Sequence, residues 1–163
     1  MKESFHILLV EDEKPLRDAL QHALSQAQYH VIAVSSALQA RETMKENKFD
    51  IAIMDIRLPD GNGIDLLREF RHQDQDLCVI ITTGYAEVDV AIDAIRLGAS
   101  DFIRKPFDID ELLIRIEEAL KSRNLSRTNR ELNRQVQTMH SEETFIGQSE
   151  SVVRIRKTIE LLS

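Results

Sequence analysis

The sequence has a single cysteine, Cys78, among its 163 residues, so no intramolecular disulfide framework can staple the fold. That fits a reducing cytoplasm, the localisation expected here. A basic excess is missing too: the formal charge is −7, which rules out nucleic-acid binding driven by the charge of the whole chain. Long hydrophobic runs are absent near the start, where MKESFHILLVEDEK has one short apolar run followed at once by acids. It reads neither as a signal peptide nor as a membrane span, and no membrane contact is expected. No G-x-x-x-x-G-K-[ST] loop occurs, so these residues carry no P-loop nucleotide site. His6, His22, His30, His72 and His140 show no metal-ligand spacing, and no serine–histidine–acid triad can be assembled.

What remains suits a globular domain. Apolar residues make up 42% and charged residues 30%, enough for a real core under a solvated surface. The length allows one ordinary domain and an appendage. Apolar runs at 6–10, 31–34, 50–54, 77–81 and 101–104 read as strands. Segments 15–28, 36–48, 64–72 and 88–97, and one starting near 109, have helical spacing. Ser35 or Ser36 caps the second helix, Gly98 ends the fourth, Asp108 caps the last, and 59–63 (PDGNG) reads as a loop. Strict alternation predicts an α/β domain with a parallel sheet covered on both faces. A flavodoxin-like, doubly wound, five-stranded sheet of order 2-1-3-4-5 is the expected architecture, although periodicity does not set strand order. The predicted domain is 1–120, with Cys78 a buried small hydrophobe in the fourth strand.

Beyond about position 121 the composition changes. Residues 121–140 are polar, basic and free of glycine and proline. Leu125, Leu132 and Met139 recur every seven residues, with Asn129 and Val136 four after the first two. This is a d/a seam with a polar Asn at one a position, a partner-specifying device in dimeric coiled coils. Residues 121–141 are therefore predicted to extend the last helix into a linker that pairs with a second copy. The alternative is a solvated linker helix. Leu113, Ile116 and Leu120 lie in a different frame and should pack on the domain itself. The basic residues Lys121, Arg123, Arg127, Arg130 and Arg134 are expected to be a solvated flank, not a nucleic-acid arm.

The chemistry lies at the strand ends. Glu11 and Asp12 follow the first strand, Asp55 the third, Thr83 the fourth and Lys105 the fifth. Ligands of open α/β sheets bind outside the carboxyl ends of the strands. Three carboxylates meeting there repel one another unless a hard cation such as Mg²⁺ neutralises them. Read separately, they are strand-end acids making caps and turns. A carboxylate nucleophile, a metal, a hydroxyl and an ammonium together suit phosphoryl transfer through an aspartyl phosphate.

The ordered set VEDE, MDIRLPDGNG, TTGYAE and ASDFIRKPF resembles the receiver domains of bacterial response regulators over roughly residues 5–120. The resemblance implies that Asp55 is the phosphoacceptor, taking its phosphoryl group from a sensor histidine kinase. It implies that Asp12 and Asp55 ligate Mg²⁺, with Glu11 direct or through water and the backbone carbonyl of Arg57 completing the set. Thr83 would be the switch hydroxyl, Lys105 the phosphoryl-pairing lysine and Pro106 cis. Phe102 stands at the switch aromatic's place, and a plain core aromatic is the other reading. Tyr85 would gate access to Asp55.

The later FIGQS and VVR resemble the entry to the AAA+ ATPase domain of NtrC-type, sigma-54-dependent activators. On that resemblance 142–163 is an incomplete AAA+ fragment, and the chain regulates a larger activator's dimer and ATPase assembly; the tail from Ser141 onward is expected to be mobile or only partly helical. It is not expected to be an enzyme beyond its own phosphorylation and dephosphorylation. A rival, an Mg²⁺-dependent phosphohydrolase, would need a second acid beside the nucleophile, and Arg57 stands two residues after Asp55 instead.

Overall fold

The structure is a computed structural model and describes residues 3–146, without the side chains of Tyr85 and of 140–146. Expectations placed on Tyr85 and on most of 142–163 therefore fall outside the described residues. The five sheet strands are β1 (His6–Val10), β2 (His30–Val34), β3 (Ile51–Asp55), β4 (Cys78–Thr83) and β5 (Asp101–Arg104). They are all parallel, in the order β2-β1-β3-β4-β5. The helices are α1 (Lys14–Gln26), α2 (Ala37–Glu46), α3 (Gly63–Gln73), α4 (Val88–Arg96) and α5 (Ile109–Ile146).

The strand pleat explains the two cores. Successive side chains point to opposite faces, so Leu8, Val10, Ala52, Met54, Val79 and Ile81 face one way. They meet Ala37 and Ala40 of α2, Ile64, Leu67 and Phe70 of α3, and Ala91 and Ala94 of α4. Ile7, Leu9, Ile51, Ile53, Cys78, Ile80 and Ile103 face the other way, against Leu20 and Leu24 of α1 and Leu112, Ile116, Ala119 and Leu120 of α5. Both faces are covered, as the continuous apolar runs predict. Phe70 is fully buried, and truncating such a residue to alanine typically costs about 3–5 kcal/mol. Burial pushes the Cys78 thiol above its ordinary pKa, with its Sγ 3.4 Å from the Ala119 carbonyl oxygen as donor.

Several boundaries differ from expectation, each for a local reason. α1 stops at Gln26 because Gln28 adopts φ +71° and the Tyr29 amide donates to the Leu24 carbonyl. That left-handed terminator is usually glycine, so the sequence carries no signal for it. Ser36, not Ser35, caps α2 by accepting from the Gln39 amide. Gly98 has φ +106° after α4, as expected. A tight antiparallel ladder, Arg57–Leu58 against Gly61–Asn62, brackets Pro59 and Asp60 of the expected loop. Gly63 begins α3 so close to β3 that a Cβ would fall 2.3 Å from the Asp55 carbonyl oxygen.

The chain divides into two compact units, Met1–Arg123 and Asn124–Ser163. In the first, Ile116 and Leu120 pack into the core as expected, while Leu113 is only partly buried. Arg123 corrects the expectation of a solvated basic flank. It is buried, and its Nη1 lies 2.6 Å from Asp50 Oδ1. A guanidinium can be buried when a carboxylate meets it, and Asp50 is there at the start of β3. In the second unit, Leu125, Leu132, Val136 and Met139 are exposed in the single chain, and so is Asn129.

Candidate functional site

Parallel pairing brings the strand ends to one edge. Asp55, the last residue of β3, is in register with Thr82, and Thr83 with Arg104. The Lys105 amide donates to the Thr83 carbonyl, 2.8 Å, and the Lys105–Pro106 peptide is cis. The Glu11 amide donates to Val34, holding the end of β1 to β2. These backbone bonds set Glu11, Asp12, Asp55 and Lys105 around one point.

Lys105 Nζ lies 2.7 Å from Asp55 Oδ2 and 2.8 Å from Glu11 Oε2. Asp55 Oδ1 accepts from the Arg57 amide, 3.1 Å, and Glu11 Oε1 from the Glu13 amide, 3.1 Å. Glu11 is 1% and Asp55 7% exposed, while Asp12 is exposed. Burial raises the Glu11 carboxyl above its usual range, against the lowering effect of Lys105. Burial alone would depress Lys105, but its hydrogen bonds to Asp55 and Glu11 and their charges win, so its pKa rises. A cleft of about 500 Å³ opens over the cluster, lined by Asp12, Glu13, Asp55, Arg57, Gly84, Ala86, Glu87 and Lys105.

The donor set fits a divalent cation. Carboxylate oxygens of Glu11, Asp12 and Asp55 lie within 4.8 Å of one another. Three carboxylates against the single ammonium of Lys105 leave two negative charges, the complement of Mg²⁺. Asp12 is the open member, since both Glu11 oxygens are engaged by Lys105 and the Glu13 amide.

Not every expected residue reaches the cluster. Thr83 is fully buried and its hydroxyl donates to the Gly84 carbonyl, 3.1 Å. Phe102 is partly buried against the core under α2, α3 and α4. Two residues went unread in the sequence. Glu87, nearly buried, enters the cleft paired with Arg57. Asp60 reaches back to accept from the Ala37 and Leu38 amides at the start of α2, 2.8 and 2.9 Å. Neither has a sequence signal, because each depends on where a distant loop lands.

Comparison with known proteins agrees with this geometry. The family model for the response regulator receiver domain matches residues 7–117. The chain is 35% identical over 158 residues to the C4-dicarboxylate transport transcriptional regulatory protein DctD of Pseudomonas aeruginosa, covering 96% of this chain and 34% of that protein. It is 34% identical over 132 residues to the regulatory protein AtoC of Escherichia coli, covering 81% of this chain and 29% of that protein. Among solved structures, NtrX from Brucella abortus superposes with a TM-score of 0.76 at 30% identity, over 97% of this chain and 34% of that one. A receiver domain protein from Clostridium thermocellum gives 0.71 at 31%, over 74% and 98%. An all-parallel sheet with an acid-and-lysine cluster at its carboxyl edge, matched over that span, defines a two-component signalling domain. The chain belongs to the response regulator receiver domain family. It spans about a third of the length of the curated regulators it matches.

Proposed function

We propose that Asp55 is the phosphoacceptor of this receiver. A carboxylate oxygen of Asp55 attacks the phosphorus of a phosphohistidine on a sensor histidine kinase. The P–N bond breaks, the imidazole leaves, and an acyl phosphate remains on Asp55. The observation that carries this is that Asp55 lines one cleft with exposed Asp12 and has the Lys105 ammonium 2.7 Å from its Oδ2. Asp12, Asp55 and the Arg57 carbonyl would hold Mg²⁺, with Glu11 beside them. When bound, the cation supplies positive charge to the phosphoryl oxygens. Lys105 would pair with the incoming phosphoryl group. Thr83 would turn its hydroxyl from the Gly84 carbonyl toward the new anion, and Phe102 would follow, biasing a two-state element.

The output follows from the relatives and the linker. The similarity to transcriptional regulators supports a receiver of an NtrC-type, sigma-54-dependent activator, working in the cytoplasm. Leu125, Asn129, Leu132, Val136 and Met139 would form a dimeric linker, and the receiver would control assembly of an AAA+ domain in its own parent chain. Nucleic-acid contact would fall to other parts of that parent. The phosphohydrolase reading is disfavoured, because the one further buried acid in the cleft, Glu87, is engaged by Arg57.

The test is intact mass after incubation with Mg²⁺ and acetyl phosphate. Wild type should gain one hydroxylamine-labile phosphoryl group and Asp55→Asn none. An adduct of equal yield on Asp55→Asn would overturn the assignment.

A further inference from the structure

Arg57 and Glu87 form an ion pair whose ends belong to different loops. Arg57 opens the short ladder after β3, and Glu87 closes the 3-10 turn Tyr85–Glu87 that leads into α4. Both line the cleft over Asp55, so the pair straps its mouth.

The strap is lopsided. The Arg57 side chain is 79% exposed and the Glu87 side chain 11%. Arg57 can therefore swing at small desolvation cost. Glu87 cannot follow, and a nearly buried carboxylate depends on its counter-charge. The Arg57 backbone is already fixed at the site, its amide donating to Asp55 Oδ1. Its guanidinium thus has two anions within reach of one anchored backbone: Glu87, and whatever negative charge comes to Asp55. A phosphoryl group carries about −1.5 to −2 charges, and its oxygens suit the planar fork of arginine bidentately. A carboxylate carries one.

Resting on the reading of Asp55 as phosphoacceptor, we propose that Arg57 is a phosphoryl-contacting residue held in reserve by Glu87. On phosphorylation Arg57 exchanges Glu87 for the phosphoryl oxygens. Glu87, left in its seat without a counter-charge, then loosens the 3-10 turn and the first turn of α4. This gives the site a charge-driven route to α4, separate from the rotation of a buried hydroxyl. No covalent bond changes in the exchange.

The experiment is a double-mutant cycle with Glu87→Gln, Arg57→Ala and the pair combined, using Mg²⁺ and acetyl phosphate. The readouts are the initial rate of adduct formation by intact mass and amide hydrogen exchange over residues 85–92. Glu87→Gln keeps the shape of the side chain, and Arg57 is exposed enough for truncation to spare the fold. With Arg57 present, Glu87→Gln should raise the rate about five-fold, the scale of one part-exposed ion pair. With Arg57→Ala it should have no effect. Phosphorylation should speed exchange over 85–92 in wild type and not in Glu87→Gln. Equal acceleration by Glu87→Gln in both backgrounds would reduce Glu87 to a general repulsive charge and overturn the exchange, leaving Asp55 as acceptor. Equal rates in all four proteins would do the same. No adduct on wild type would overturn the exchange and the phosphoacceptor reading together.

Discussion

Lys105 Nζ donates to Asp55 Oδ2 across 2.7 Å, joining the end of β3 to the residue after β5 from 50 positions away in the chain. The same ammonium serves Glu11, so one cation balances two buried carboxylates. Lys105→Ala leaves both acids uncompensated. Without divalent cations this should cost on the order of 3 kcal/mol, read by urea denaturation. With Mg²⁺ and acetyl phosphate the rate of phosphoryl uptake should fall about 100-fold, the usual effect of deleting one group that stabilises developing charge. Uptake at the wild-type rate would show that Lys105 only neutralises the resting site.

Asp12 is the exposed member of the carboxylate cluster, and its removal should separate repulsion from metal binding. Asp12→Asn should be more stable than wild type without Mg²⁺, because one of three crowded negative charges is gone. Wild type should gain about 2.7 kcal/mol at an Mg²⁺ concentration 100 times its Kd, by mass action. Asp12→Asn should lose most of that gain. Thermal denaturation with and without Mg²⁺ measures both effects, and an equal gain in the two proteins would remove Asp12 from the ligand set.

The sheet was legible because a parallel strand buried on both faces becomes an apolar run, and Ile51–Ala52–Ile53–Met54 is one with nothing exposed. The acids and the lysine were legible because they end such runs. Strand order was not legible from periodicity, since nothing near His6 records that β1 lies between β2 and β3; the expected order 2-1-3-4-5, which the sheet has, rested on the doubly wound architecture. Arg123 was misread for a related reason. It stands among arginines on a basic stretch of helix, and its partner Asp50 is 73 positions away. Glu87 escaped because a glutamate opening a helix already has a local explanation, at the positive end of the helix dipole.

Asp60 ties the loop after β3 to α2, and this tie should depend on pH. Its carboxylate accepts from the Leu38 and Ala37 amides, which hold its pKa below the ordinary aspartate value. Because the folded pKa is depressed, the contribution is fully present above the unfolded pKa, about 3.9, and is lost as pH falls through the folded value. Asp60→Ala should therefore be less stable than wild type near neutral pH, and the gap should close in acid. Urea midpoints for the two proteins between neutral pH and pH 2 give the comparison. A gap that stays constant would assign the effect to backbone geometry at Asp60, not to its charge.

Asn129 is the polar residue of the linker repeat. Leu125, Leu132, Val136 and Met139 are 51–65% exposed in the single chain, far more than residues of their type in the two cores. They recur at the spacing of a coiled-coil seam, which a second copy would cover. Asn129 occupies an a position in that seam, where it would lower stability in return for a fixed register and number of strands. Asn129→Leu should therefore tighten self-association while admitting species beyond the dimer. Leu132→Arg, which puts a charge at the central d position, should give monomers at the same concentration. Light scattering over a concentration series separates these cases. If wild type and Asn129→Leu both stay monomeric at high concentration, the seam does not pair, and the repeat belongs to a solvated linker helix.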